Sequence, residues 1–359
     1  MHERKKIAFV INNLGMGGAE NMLFEQVKAV DKSRFEPYIV TILPNPKTNI
    51  LNKLPPDVKY LEILSFYKLW LFFRQEKIYA VVTSLFDANL YGRLAAILAR
   101  LPVILSSELN VSGDKKKWQV IADNILARFT KKILVSSNDV LDFTSKQEHL
   151  PKSKFELNFN AIPLVLGEIK KNRDQVLRKY SLPEDYLYIV TVGSLTLQKA
   201  HTYLIDAVYQ MKQNGMACFK VLIFGRGVLK DELSEQIHKL DLVEEVKLMG
   251  IAPIEEIMAI SDIFTLPSLW EGLSIALLQA MDARCPIVAT KISGTSEALE
   301  DKISALLVDP GEVAQLSEAL ERVVGDPELR QRLAEGAKKR VEKFSIGKNV
   351  KVIENLIWP

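Results

Sequence analysis

The 359-residue sequence has few of the residues that hold disulfides or metal ions. Its two cysteines, Cys218 and Cys285, each lie in an apolar run, which predicts buried free thiols in a reducing compartment. The four histidines are scattered without metal-ligand spacing. No Asp-x-Asp pair is present to bring a divalent cation to a diphosphate, and no GxxxxGK(S/T) phosphate loop occurs. We therefore expect neither a metal ion nor another cofactor.

Long hydrophobic runs are also absent. No window approaches the roughly 18 apolar residues that a membrane-spanning helix needs, and the first residues lack the pattern of a signal peptide. Residues 1–160 hold 23 Lys and Arg against 16 Asp and Glu, whereas the rest holds 24 against 28. We therefore expect a cytoplasmic protein, peripheral at the inner face of the cell membrane if it touches one. No nucleic-acid partner is expected.

Short runs of Val, Ile and Leu are abundant, and they alternate with longer amphipathic segments. Because the runs are continuous, they predict strands that are buried on both faces of a parallel sheet. The series occurs twice, which predicts an α/β protein with two doubly wound, Rossmann-like domains. We place the domains at 1–164 and 165–345, with 151–172 as the crossing between them. The helix at 346–359 is expected to pack back on the first domain.

Two glycine turns, each following a predicted strand and preceding a helix, are candidate ligand loops. In NNLGMGGAE (12–20), Gly17 and Gly18 would allow a phosphate or sugar hydroxyl to approach the backbone. In FGRGVLKDEL (224–233), Gly225 would serve a nucleotide in the same way, and Arg226 would reach a phosphate. The alternative for both segments is a plain tight turn, with Arg226 simply exposed to solvent.

The segment VGSLTLQKAH (192–201) turns at Gly193 and Ser194 and carries Lys199 to the start of a helix. An ammonium group there would neutralise a diphosphate and stabilise the charge that develops on a leaving nucleotide. The alternative is a solvated surface lysine. We expect His201 to be a cap or a surface residue rather than a catalyst.

The segment from Pro267 onward, PSLWEGLSIALLQAM, predicts a strand end, a turn and a helix over 273–283. Backbone amides of Gly272, Leu273 and Ser274 would hold phosphate oxygens, and Glu271 would face sugar hydroxyls. Gln279 lies two helical turns further along. The alternative for Glu271 is a carboxylate that only complements the helix dipole.

Taken together, these motifs resemble the family 4 retaining glycosyltransferases of the GT-B fold. The resemblance is most specific over 186–345, in PSLWEGLSIALLQAM, PIVAT and SGTSEALED, and looser in LGMGGAE and NFNAI. It implies two Rossmann-like domains facing across a cleft. It also implies metal-independent transfer of a hexose from a nucleotide sugar, with a UDP-sugar favoured over a GDP-sugar. The acceptor would be a polysaccharide or a lipid-linked glycan, and the anomeric configuration would be retained.

The same resemblance implies roles for individual residues. Lys199 would bind the donor diphosphate, Glu271 would bind the hexose hydroxyls as the first carboxylate of an E-x7-E motif, and Gln279 would hold the ribose. Gly17 and Gly18 would approach the phosphates from the other domain. The remaining donor-side candidates are Gly193, Ser194, Gly225, Arg226, Gly272, Leu273 and Ser274.

The sequence also departs from the family pattern. Gln279 replaces the second glutamate of the motif and Ser194 replaces a frequent arginine, while Arg284 replaces a customary glycine. The loop after the fifth strand lacks a histidine, so Glu108 and Asn110 become the acceptor-side candidates. These departures leave open a weakly active sugar-nucleotide-binding subunit that supports a partner transferase. A UDP-sugar epimerase of the same fold is a third alternative.

Two N-terminal segments combine aromatic residues with Lys and Arg: SFYKLWLFFRQEKIY (65–79) and DKKKWQ (114–119). Family members often sit at the inner membrane, and such segments suit an anionic bilayer surface. The alternative is that the lysines are merely solvated and the apolar residues of the first segment belong to the core, namely Leu69, Leu71, Phe72 and Phe73.

Overall fold

The computed structural model describes residues 4–15, 17–47, 51, 54–109, 115–167 and 169–358. The chain divides into two compact units. Unit 1 comprises Met1–Pro163 together with Ser345–Pro359, and unit 2 comprises Leu164–Phe344.

Unit 1 is built on a seven-stranded parallel sheet with the order β3-β2-β1-β4-β5-β6-β7. Its strands are β1 (Lys5–Ile11), β2 (Phe35–Thr41), β3 (Lys59–Glu62), β4 (Ala80–Ser84), β5 (Val103–Glu108), β6 (Lys132–Val135) and β7 (Phe155–Leu157). The connecting helices are α1 (Gly18–Ala29), α2 (Phe66–Gln75), α3 (Arg93–Ala99), α4 (Lys117–Ala127) and α5 (Asn138–Gln147). Every residue of β4 is buried, as expected of a central parallel strand covered on both faces.

Unit 2 contains a six-stranded parallel sheet with the order β10-β9-β8-β11-β12-β13. Its strands are β8 (Leu187–Val192), β9 (Phe219–Phe224), β10 (Val246–Gly250), β11 (Ile263–Leu266), β12 (Ile287–Thr290) and β13 (Leu306–Val308). Its helices are α6 (Arg173–Lys179), α7 (His201–Gln213), α8 (Lys230–Lys239), α9 (Ile254–Ile260), α10 (Ile275–Asp282), α11 (Ser293–Ala298), α12 (Val313–Gly325) and α13 (Pro327–Val341).

The last helix, α14 (Ile346–Ile357), belongs to unit 1. Its apolar side packs with the core that lies under α1. Polar contacts fix the same helix, because Gln26 Nε2 donates to Asn349 Oδ1 at 2.9 Å and the Asp31 amide donates to Glu354 Oε1 at 2.7 Å. The chain therefore returns to its first unit after completing the second.

The predicted α/β class with two doubly wound domains is confirmed. Three finer expectations are wrong. Residues 155–157, assigned to the crossing, form the edge strand β7 beside β6. Cys218 is exposed in the turn before β9, where its φ is +62°, although Cys285 is buried. The helix expected over 273–283 begins only at Ile275.

The aromatic segment of unit 1 forms α2, and its two faces differ. Leu69, Phe72 and Phe73 are buried, so the core alternative is correct for these three residues. Phe66 and Tyr67, at the start of the helix, are exposed. Within the described ranges, no helix has both the length and the apolar character needed to cross a membrane.

The strand order of unit 2 indicates which edge of its sheet would carry a ligand site. Strands β8 and β11 are neighbours, yet the chain leaves β8 towards β9 and leaves β11 towards β12 on the other side. The loops after such strands diverge and leave a crevice at the carboxyl edge of the sheet, where open α/β sheets bind ligands. Lys199 follows β8 and Glu271 follows β11.

Candidate functional site

Lys199 and Glu271 meet at this carboxyl edge as an ion pair between Nζ and Oε1. The other carboxylate oxygen of Glu271 accepts a hydrogen bond from Ser268 Oγ at 3.1 Å. Only 12% and 13% of the two side chains are exposed, so the alternative of a solvated surface lysine is wrong. The structure therefore joins two predicted residues that are 72 positions apart in the sequence.

Gln198 ties the two loops of the pair together. Its carbonyl accepts from the Leu269 amide at 2.9 Å, and its Nε2 donates to the Trp270 carbonyl at 2.9 Å. Lys199 itself ends a short 3-10 turn, and Ala200, with φ +53°, separates that turn from α7. The sequence motifs did not single out Gln198, because its partners belong to a loop distant in sequence.

Close packing between loops accounts for two glycines of the site. A β-carbon at Gly225 would lie 1.8 Å from the carbonyl oxygen of Gly193, and one at Gly294 would lie 2.1 Å from that of Gly272. A β-carbon at Gly193 would lie 3.1 Å from the Lys199 side chain. Gly225 and Gly294 are therefore required by the protein's own backbone, before any ligand is considered.

Except for Gln279, the other donor-side candidates of unit 2 lie in the loops that follow β8, β9 and β11. Gly272, Leu273 and Ser274 are buried in the segment before α10, and Ser274 is the N-cap of that helix. Gln279 is half-buried in α10. The side chains of the two remaining candidates, Ser194 and Arg226, are exposed.

His201 does not occupy the position expected of it. It is the first residue of α7, it is only 2% exposed, and its side chain caps nothing. Burial, with the nearby positive charge of Lys199, lowers the pKa of His201 to about 4. The expectation of a cap or surface residue is therefore wrong, and the imidazole is neutral at physiological pH.

The glycine loop of unit 1 follows β1 and precedes α1. Gly17 is the N-cap of α1, and both Gly17 and Gly18 are exposed. A β-carbon at Gly17 would lie 2.4 Å from a carboxylate oxygen of Glu20, so the loop already holds its own acidic side chain. The phosphate contacts of these two glycines stay a prediction.

The acceptor-side candidate Glu108 belongs to a buried charge network. Asn89 Nδ2 donates to Glu108 Oε1 at 3.1 Å, and Lys115 Nζ lies 3.5 Å from the same oxygen. Lys115 also pairs with Asp123 at 3.0 Å and with Glu148 at 2.7 Å. The three carboxylates are close enough to hold a metal ion, but the Lys115 ammonium pairs with all three. Asn110, the second candidate, lies outside the described residues.

This network also corrects one expectation for the basic segment at 114–119. Lys115 neither faces a membrane nor is solvated, because its side chain is buried within the network. Arg93, likewise buried, pairs with Asp123, so two cations face three carboxylates. Burial raises the pKa of Glu148 to about 7 and also raises the pKa of Glu108. Both glutamates therefore hold a proton more tightly than an exposed glutamate does.

Unit 2 matches a known protein family. Residues 172–340 match the family model "Glycosyl transferases group 1". A first relative, alpha-D-kanosaminyltransferase of Streptomyces kanamyceticus, is 29% identical over 48% of this chain and 45% of that protein. A second is the UDP-Gal:alpha-D-GlcNAc-diphosphoundecaprenol alpha-1,3-galactosyltransferase of Escherichia coli, 24% identical over 99% of this chain and 97% of that protein.

A solved structure is similar over the whole chain. Anabaena Alr3699/HepE in complex with UDP has a TM-score of 0.84 and 18% identity, covering 98% of each chain. The same protein has also been solved with UDP-glucose. The similarity shows that the present chain has the GT-B fold, as the resemblance implied.

Proposed function

We propose, from the premise that residues 172–340 form a glycosyl transferases group 1 domain within a GT-B fold, that this chain is a retaining, metal-independent hexosyltransferase. Its donor is a nucleotide sugar, with UDP-sugars favoured, and its acceptor is a polysaccharide or a lipid-linked glycan. The single observation that carries the proposal is the Lys199–Glu271 ion pair at the carboxyl edge of β8 and β11.

Lys199 is the group that would stabilise the leaving nucleotide. Its ammonium is largely shielded from solvent, so its attraction to a diphosphate is stronger than that of an exposed lysine. The N-terminus of α7 begins two residues later and adds positive potential at the same edge. As the bond from the sugar to the diphosphate breaks, negative charge grows on the diphosphate and the lysine stabilises it, in the place of a metal ion.

Glu271 would position the sugar. Its two oxygens contact Lys199 and Ser268. A bound diphosphate competes for Lys199, which frees one carboxylate oxygen to accept hydrogen bonds from the hexose hydroxyls. Gly272, Leu273 and Ser274 lead directly from Glu271 into α10, and their amides would contact the sugar and phosphate. Gln279 would hold the ribose through its amide.

The names and bound ligands of similar proteins support the proposed classes of donor and acceptor. The name of the Escherichia coli relative specifies UDP-Gal and a diphosphoundecaprenol-linked acceptor, and the HepE structures contain UDP and UDP-glucose. Their similarity to this chain supports a UDP-sugar and a lipid-linked glycan. On the acceptor side, Glu108 is buried and paired, so its proposed role is to hold the loop that follows β5.

The test is transfer by purified variants. Glu271→Ala and Lys199→Ala should each lower kcat/KM by at least about a hundredfold, because each removes an interaction with charge or hydroxyls in the transition state. Glu255→Ala and Lys239→Ala are matched controls at exposed positions and should retain activity. Full turnover by Glu271→Ala, with an unchanged unfolding curve, would refute the assignment. The anomeric configuration of the product, read by NMR, tests retention.

A weakly active donor-binding subunit is the second candidate, because Gln279 and Ser194 leave this site with less charge than the family pattern has. Consumption of a UDP-sugar by the purified chain separates the two candidates. Tight donor binding, without turnover across a broad panel of acceptors, would favour the subunit.

A further inference from the structure

Three buried polar side chains of unit 2 have no hydrogen-bond partner among the described residues: Thr191 of β8, Thr265 of β11 and His201 of α7. They are 1%, 0% and 2% exposed, so bulk solvent does not reach them. Both ring nitrogens of His201 and both threonine hydroxyls are concerned. Folded proteins leave few buried polar atoms unpaired, because each one costs the desolvation of its group. These atoms therefore need a polar partner.

The two threonines lie side by side in the sheet. Strands β8 and β11 pair in parallel, with Ile189 opposite Ile263. Thr191 and Thr265 are two residues further along their strands, so the same register brings them opposite each other. Side chains two residues apart point to the same face of a sheet, so both threonines lie on the face that carries these isoleucines. That face packs with the buried side of α7.

His201 enters the same layer from the helix side. It is the first residue of α7, and Leu204 and Ile205 follow one turn later on the face that packs in this core. Residues three and four apart share one face of a helix, so His201 points towards the sheet as these two residues do. Because α7 follows the turn that leaves β8, its first turn lies over the carboxyl ends of the strands. The imidazole and the two threonine hydroxyls are therefore neighbours.

The imidazole also adjoins the turn that carries Lys199. Burial and the Lys199 charge lower the pKa of His201, whereas the backbone of Ser194 raises it. A backbone group raises a histidine pKa when its carbonyl accepts from the ring N–H, so the Ser194 carbonyl lies near the imidazole. A neutral imidazole has one N–H that donates and one nitrogen that accepts. One ring nitrogen can therefore serve the turn, which leaves the other for the two threonines.

We propose that Thr191, Thr265 and His201 bind one internal water molecule, and that His201 thereby positions the turn after β8. Buried waters typically make about three hydrogen bonds to groups that otherwise lack partners. Two hydroxyls and one ring nitrogen supply that number. The water holds the imidazole in the tautomer whose N–H donates to the Ser194 carbonyl. The effect of the turn on transfer, through Lys199, rests on the proposed function, whereas the water site does not.

The chemistry of this cluster favours water over a metal ion. It offers two hydroxyls and a neutral imidazole but no carboxylate, and the Lys199 ammonium adds positive charge nearby. Hard divalent cations take carboxylate and carbonyl oxygens as ligands, whereas an internal water bonds to neutral donors and acceptors. A water also bridges the sheet to the helix, which a direct contact between two threonines of one sheet does not.

Two measurements test the water site on the full chain without any substrate. A high-resolution crystal structure of the wild type should show a water within hydrogen-bond distance of all three side chains. ¹⁵N NMR at neutral pH should show a single neutral tautomer of His201. The double variant Thr191→Val/Thr265→Val should shift the His201 nitrogen resonances, because it removes two of the three partners of the water. His238, exposed in α8, is the control and its resonances should not move.

Transfer kinetics test the positioning role. His201→Leu removes both ring nitrogens, so kcat should fall at least about tenfold while the donor KM changes by less than about threefold, since Lys199 acts mainly on the transition state. An amide carries both a donor and an acceptor, so His201→Asn or His201→Gln should recover most of the lost kcat. His238→Leu is the matched control at an exposed position and should keep wild-type kinetics. The Thr191→Val/Thr265→Val variant, nearly unchanged in size, gives the same kinetic test if His201→Leu does not fold.

A wild-type crystal structure without this water, or with the imidazole bonded directly to a threonine hydroxyl, would overturn the water site. Wild-type kcat in His201→Leu, or equal losses in the Leu, Asn and Gln variants, would overturn the positioning role. If the wild type transfers no sugar to any acceptor, the proposed function fails and the positioning role fails with it. The crystal and NMR results still decide the water site in that case.

Discussion

The α-carbon of Gly225 faces the carbonyl oxygen of Gly193 so closely that a β-carbon would lie 1.8 Å from that oxygen. The two residues directly follow the neighbouring strands β8 and β9, and the Gly193 amide donates to the Phe224 carbonyl at 2.9 Å. The loop that carries Lys199 therefore rests directly on the loop after β9. The distance between these two loops determines where the Lys199 ammonium lies.

Gly225→Ala should destabilise the protein by about 2–4 kcal/mol, because the clash is with backbone and neither loop can move alone. Transfer activity should fall as well, since the displaced loop carries Lys199. The free energy of unfolding in urea and kcat/KM are the two measurements. Gly325→Ala, where a β-carbon meets nothing within 4 Å, is the control and should change stability by less than about 1 kcal/mol. An unperturbed Gly225→Ala variant would contradict the packing argument.

Gln279→Glu should strengthen donor binding if this residue holds the ribose. A carboxylate accepts hydrogen bonds more strongly than an amide, so the donor KM should fall by roughly three- to tenfold, with kcat little changed. Gln213→Glu adds the same charge at an exposed position near the end of α7 and should leave KM unchanged. A Gln279→Glu variant with the wild-type donor KM would remove Gln279 from the donor site.

Glu148 should make stability depend on pH. Its pKa is raised from 4.5 to about 7 by burial, so between these values the folded state binds a proton that the unfolded state has lost. The stabilising contribution is therefore fully present below about pH 4.5 and is lost as the pH rises through 7. Glu148→Gln cannot ionise, so its stability relative to the wild type should increase by roughly 1–3 kcal/mol between about pH 5 and about pH 8.

Urea unfolding at the two pH values measures this effect of Glu148. Glu255→Gln, at an exposed glutamate, should show the pH dependence of the wild type. Parallel pH profiles for the wild type and Glu148→Gln would show that Glu148 is ionised throughout this range and would contradict the prediction.

Arg284→Gly should stabilise the protein. Arg284 follows the end of α10 with φ +55° and an exposed side chain, in a position where helices usually end in glycine. Glycine relieves the left-handed strain, so a gain of about 0.5–1 kcal/mol is expected despite the more flexible unfolded chain. Thermal unfolding measures it. Arg332→Gly, at an exposed position inside α13, should instead lose about 1 kcal/mol, and equal effects of the two changes would contradict the argument.

Much of the site could be predicted because local order dictates it. A buried apolar strand followed by a turn and a helix places the turn at the carboxyl edge of a parallel sheet, so the sequence pattern around Lys199 and Glu271 is enough to predict that edge for both residues. Contacts between such turns were not predictable in the same way. The hydrogen bonds between Gln198 and the loop after β11, and the burial of His201, depend on neighbours that are far away in the sequence.

By itself, the sequence determined the α/β class, the two doubly wound domains and the turns that bear Lys199 and Glu271, because apolar periodicity and glycine placement act over a few residues. Tertiary structure alone decided that these two residues pair and that Lys115 is a buried cation. Strand order brings β8 beside β11, and the charges around Asp123 come from separate elements, so no local pattern encodes either arrangement.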